Sequence, residues 1–115
     1  MPEDDERMQK QIAEIGTRYL RRTLSELPQM REVLDRLAGD PAQAAGLLQE
    51  IERMAHKIYG SGAMFGFDIV SGRAREVELI AAERASDAES IERLRERVTA
   101  LEDEVAAAAR TRGIA

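Results

Sequence analysis

Apolar residues fall on helical spacing through most of the chain. From Met8 onward, Met8, Ile12, Ile15, Tyr19, Thr23, Leu27, Met30, Leu34 and Leu37 follow one another at steps of three and four, and Leu20, Leu24 and Val33 widen the stripe. That spacing marks a long helix with one buried face. Gly16 and Pro28 interrupt the segment. Proline lacks the amide hydrogen and its ring crowds the carbonyl four residues back, so a kink or a break is expected near residues 25–27, and the unbroken stripe favours the kink. A break would make two segments of the first helix, with a short extra helix at the N-terminus. Residues 1–7 read as a flexible acidic lead-in, a frayed first turn whose carboxylates suit the positive end of a helix dipole.

The run Ala38-Gly39-Asp40-Pro41 is the clearest boundary. Gly39 suits a C-terminal cap, Asp40 an N-cap and Pro41 the first helical position, and Gln43 completes a capping-box pattern. The next helix carries Leu47, Leu48, Ile51, Ala55 and Ile58 on one face, extended by Gly62 and Phe65, and is expected to run to about Met64 and end near Gly66. Phe67, Val70, Ala74, Val77 and Ala81, flanked by Ile69, Leu79 and Ile80, form the row of a third helix, and the short link before it implies an antiparallel hairpin. Ser86-Asp87-Ala88-Glu89 is a second capping box. It opens a last helix whose Ile91, Leu94, Val98, Leu101, Val105 and Ala108 alternate by three and four up to Gly113. Such a row fits a coiled-coil dimer seam or the fourth stave of a bundle, and fewer than four heptads favour the stave. The expected fold is all-α, an antiparallel up-down four-helix bundle over residues 8–112, with residues 113–115 as a tail.

Composition narrows the chemistry. A chain of 115 residues, rich in Ala, Leu, Glu and Arg and with three prolines, suits one helical domain with one modest core. The lack of cysteine excludes disulfides, thiol catalysis and thiolate metal sites, and one histidine with no acidic loop of suitable spacing leaves no expected metal site. No apolar run approaches the roughly 20 residues that span a bilayer, and the N-terminus is acidic where a secretory signal is basic and then apolar. A net charge of -5 disfavours the basic surface that nucleic acids require. The expected protein is cytoplasmic and monomeric, and its partners are other proteins.

The single histidine, His56, lies in the most glycine-bearing helical turns, beside Gly60 and Gly62. At about 100° per residue, with the apolar row centred near Ile51, His56 points roughly 140° away from the core and Gly60 roughly 180°. A glycine inside a helix costs about 1 kcal/mol relative to alanine. Gly62, on the buried side, lets another helix come close, while Gly60, one turn beyond His56 on its own face, leaves the ring open. A lone histidine on a polar face is by itself an ordinary solvated residue. An unperturbed imidazole is also largely neutral at cellular pH and can attack a phosphoryl group. Arg53 and Lys57 flank His56 on the wheel and could attract that group, and Tyr59 stands at the margin between core and His56 face. Ala63 and Met64, with Tyr59, offer apolar area for a docking partner, and Glu52 shares that face. No P-loop, nucleotide lid, magnesium-binding cluster or second base is present. The chain is therefore expected to be no enzyme in its own right and to bind no cofactor of its own.

The run His56-Lys57-Ile58-Tyr59-Gly60-Ser61, with Gly66 ten residues after the histidine, resembles the pattern of the histidine-containing phosphotransfer (HPt) family. Phe65-Gly66-Phe67 is similar to the Phe-Gly-Phe that closes the same tract in the phosphorylated N-terminal domain of chemotaxis kinases. The resemblance covers about residues 12–112. It implies that His56 is a phosphoacceptor that exchanges phosphate with the aspartate of response-regulator receiver domains or takes it from a histidine kinase, with magnesium on the partner. Two positions depart from it. Tyr59 stands where the family often has a lysine, and Arg75 where the chemotaxis kinases have a second histidine, although Glu78 matches their glutamate. The alternative is a helical-bundle adaptor or dimerisation module that never carries phosphate.

Overall fold

The computed structural model describes residues 2–114. It contains α1 (Pro2–Gly39), a 3-10 turn (Pro41–Gln43), α2 (Ala44–Met64), α3 (Asp68–Ala82) and α4 (Ala88–Thr111). α1 and α3 each pack against both α2 and α4. With short links between successive helices, this is the antiparallel up-down four-helix bundle that the pattern predicts. The rows meet at the centre: Leu20, Met30, Leu34 and Leu37 of α1, Leu48 and Ile51 of α2, Val77 of α3, and Leu94, Val98, Leu101 and Val105 of α4 are the largest fully buried side chains, together with Thr23. The α4 heptad is thus the fourth stave, closed by Ala109 in place of Ala108.

α1 refines what was expected of the first helix. It is one helix of 38 residues that passes Pro28 without a break, so there is no separate N-terminal helix. Leu27, Met30 and Leu34 around the proline are buried, and their packing outweighs a local cost of about 3 kcal/mol. Of the expected lead-in over residues 1–7, residues 2–7 form the first turns of the same helix, with Glu3, Asp4 and Asp5 at its positive end, and Met1 lies outside the described residues. Gly16 does not interrupt the helix either. A Cβ there would stand 2.9 Å from the Arg112 guanidinium, which donates to the Ala13 carbonyl at 3.1 Å and lies 4.7 Å from the centre of the Phe67 ring. The stripe itself is buried only from Tyr19 onward, since Met8 is 60% and Ile12 58% exposed. A helix of this length spans about 57 Å, against about 32 Å for α2, so its first turns project past the other helices.

The caps shift as well. Asp40 caps nothing with its side chain, because its backbone carbonyl takes the Gln43 N–H at 3.1 Å in the 3-10 turn. The Gln43 side chain instead accepts from Arg36, and no left-handed residue closes α1 at Gly39. Asp87, one residue later than expected, caps α4 by accepting the Ser90 N–H at 3.2 Å.

The end of α2 fixes the hairpin that carries His56. Gly66 adopts φ +83°, which lets the Phe67 N–H reach the Gly62 carbonyl at 2.8 Å and the Gly66 N–H the Ala63 carbonyl at 3.4 Å, a Schellman closure. Phe65 and Phe67 then flank Tyr19, with ring centroids 5.6 and 5.4 Å away. The Tyr19 hydroxyl donates to the Ile58 carbonyl at 2.9 Å, two residues past His56. Gly62 has its predicted packing role: a Cβ there would meet the Tyr19 hydroxyl at 2.9 Å and Ser71 Cβ at 3.3 Å.

Candidate functional site

His56 stands on the exposed side of α2, its side chain 67% accessible. The antiparallel α3 brings Glu78 beside it. The Glu78 side chain is only 8% accessible, and a carboxylate at that depth is costly unless both oxygens find partners. One oxygen pairs with His56 Nδ1 and the other with the Arg75 guanidinium. Arg75 also lies 5.2 Å from the centre of the Tyr59 ring, and the Tyr59 and His56 rings are 6.3 Å apart. Four side chains, the imidazole among them, therefore close a loop, while Ser71 ties the α2 backbone to α3 by donating to the Tyr59 carbonyl at 2.8 Å.

The pairing selects a tautomer. A carboxylate only accepts, so the proton of a neutral imidazole lies on Nδ1 and the lone pair lies on Nε2. The outer nitrogen is then a nucleophile held in a fixed direction. One turn further along α2 the surface at Gly60 is open, since a Cβ there would have no neighbour within 4 Å.

A hollow of about 340 Å³ opens beside the ring, lined by Gln49, Glu52, Arg53, His56, Glu78 and Arg84. Of the residues expected at the site, Arg53, Gly60, Tyr59 and Glu52 are gathered near His56. Lys57 is not: it lines a separate small hollow between α1 and α2 with Tyr19, Arg22, Thr23, Glu26, Ile58 and Ser61. One step along a helix turns a side chain by about 100°, which carries Lys57 toward α1. Glu52 is not a free docking carboxylate, since Arg84 lies 2.6 Å from it. Met64 is 77% exposed and borders a different hollow with Ile12, Ile15 and Phe65, and Ala63 is exposed beside it.

Arg75, Arg84 and Gln49 carry no role in the sequence reading, and Glu78 enters it by resemblance alone. Glu78 had a legible signal: it lies four residues after Ala74 and three before Ala81, on the buried face of α3, where a lone carboxylate needs a partner. Arg84 had none, because its position depends on a turn that the sequence does not announce.

No curated protein and no solved structure matches the chain. The family model of the Hpt domain matches residues 18–109, from the level at which α1 enters the core to the last buried turn of α4, and so takes in the whole bundle and the loop of side chains that includes His56. The chain belongs to the Hpt domain family, the phosphocarrier domains that serve phosphotransfer in two-component signalling with receiver domains and histidine kinases.

Proposed function

We propose that the protein is a phosphorelay intermediate in which His56 accepts a phosphoryl group from the aspartate of a response-regulator receiver domain, or from a histidine kinase, and donates it onward. The observation that carries this reading is the exposed imidazole whose Nδ1 is engaged by a buried carboxylate, so that Nε2 faces outward with its lone pair free. In the forward step that lone pair forms an N–P bond as the P–O bond to the aspartate breaks, and the carboxylate leaves with the bonding electrons. Nδ1 keeps its proton, and Glu78 balances the positive charge that develops on the ring. Phosphoryl transfer also needs charge neutralisation at the phosphate and an in-line donor, and these we assign to the partner, including its magnesium ion.

The protein works on this account as a cytoplasmic monomer. Supporting that reading, the apolar row of α4 is used inside its own bundle, and no helix among the described residues is long and apolar enough to cross a membrane. The test is labelling of the purified protein. Mixed with phosphorylated receivers it should gain one acid-labile, alkali-stable phosphate, whereas ATP and magnesium alone should give none. Label acquired from ATP alone would show a kinase activity that this account denies.

A further inference from the structure

Three of the helices end in a left-handed residue. After α2 it is Gly66 (φ +83°) and after α4 it is Gly113 (φ +72°), but after α3 it is Arg84 (φ 57°). The same backbone bond closes all three ends, from the Gly66 N–H to Ala63, the Gly113 N–H to Arg110 and the Arg84 N–H to Ala81. Glycine is the residue that fits this conformation without strain, and a side chain there is sterically penalised. Strain of this kind persists where surrounding contacts hold it, and it clusters at functional sites.

What holds Arg84 lies beside His56. Its guanidinium turns back over the helix end, donating to the Ala81 carbonyl at 2.9 Å and lying 2.6 Å from Glu52. That Glu52 oxygen is buried and has no aligned hydrogen bond, so what joins it to Arg84 is attraction between opposite charges. Glu52 precedes His56 by four residues, and such neighbours lie about 5–6 Å apart on one helix face. The Arg84 side chain lines the same hollow as His56.

Resting on the reading of His56 as phosphoacceptor, we propose that Arg84 binds the phosphoryl group carried by His56, leaving Glu52 as the phosphate arrives. Transfer brings a dianionic group to a hollow that already holds the carboxylates of Glu52 and Glu78. Two cations line it, Arg53 and Arg84, while Arg75 is engaged on Glu78. A guanidinium offers parallel N–H donors that match phosphate oxygens. Arg84 is thus parked on one carboxylate until a stronger anion enters.

The experiment loads the protein with phosphoramidate, whose N–P bond breaks with loss of ammonia as His56 gains the phosphoryl group, and follows the 31P resonance across pH. A nearby guanidinium favours the dianion, so Arg84→Gly should move the second ionisation of the phosphoryl group to higher pH by about 1 unit. Arg84→Lys should restore part of that shift, and Glu52→Gln, which removes the competing carboxylate, should move the ionisation to lower pH. Because glycine fits the left-handed backbone, Arg84→Gly should keep or raise the melting temperature. A merely structural arginine would leave the 31P titration unmoved. An unchanged titration in Arg84→Gly overturns this role and leaves His56 as phosphoacceptor. A wild-type protein that takes no phosphate, or a His56→Gln variant labelled like the wild type, overturns both.

Discussion

Two of the arginine–carboxylate clusters that tie helices together in this bundle differ in what they leave open. Between α1 and α4, Arg31 pairs with both oxygens of Glu102 and donates to the Thr99 hydroxyl at 3.1 Å. The Glu102 carboxylate holds the Arg31 proton more firmly than usual, and the cluster is closed. Between α2 and α3, Glu78 likewise takes two partners, but one of them is an imidazole with a second nitrogen left to solvent. The pairing physics is the same in both. A cluster ending in a guanidinium fastens two helices, whereas one ending in an imidazole fastens them and also aims a nucleophile.

The largest effect should come from opening the second cluster. Glu78→Gln removes the charge that fixes the Nδ1 proton and balances the ring, and should slow phosphotransfer by about 10²-fold with helicity retained by circular dichroism. Arg31→Ala should leave the transfer rate unchanged, and a comparable loss there would erase the distinction between the clusters.

Two glycines sharpen the comparison next. Gly62→Ala gains about 1 kcal/mol of helix propensity but forces a methyl against Tyr19 and Ser71, where overpacking costs about 1–3 kcal/mol, so chemical denaturation should show a net loss. Gly60→Ala meets open space and should gain about 1 kcal/mol, while Gly60→Leu should keep stability and block transfer by crowding the approach to His56. A smaller effect belongs to the closed cluster itself, since Arg31→Ala should cost about 1 kcal/mol in the same denaturation measurement.

The smallest effect lies on the pH axis. Burial pushes the Tyr19 phenol above its ordinary value, which is about 10. Its neutral form therefore contributes stability that is fully present below about pH 10 and is lost as pH rises through the higher folded-state value. Melting temperatures on either side of that pH should fall for the wild type and stay flatter for Tyr19→Phe.

The fold was legible because its rows are regular: Leu94, Val98, Leu101 and Val105 repeat too strictly for a solvated face, and the bundle buries all four. The projecting start of α1 was not, since Met8 and Ile12 follow the same period as Leu34 while the partners that would cover them end too soon. Periodicity names a face and says nothing of what lies opposite. His56 and Gly60 could be placed because both belong to one helix, where about 100° per residue suffices. Arg75 and Arg84 could not, because their roles arise between helices, from the register of α3 against α2. The placement of Lys57 toward α1 was hidden for a related reason, as a wheel shows direction from the axis but not the neighbouring helix that claims the space.

The central claim is that Glu78 engages Nδ1 of His56 and leaves Nε2 to take the phosphate. The nitrogen that carries it can be read directly from two-dimensional 1H–15N correlation of the phosphorylated, 15N-labelled protein. The account predicts phosphorus on Nε2 of His56, with Nδ1 still protonated. Phosphorus on Nδ1, or on any residue other than His56, would contradict it.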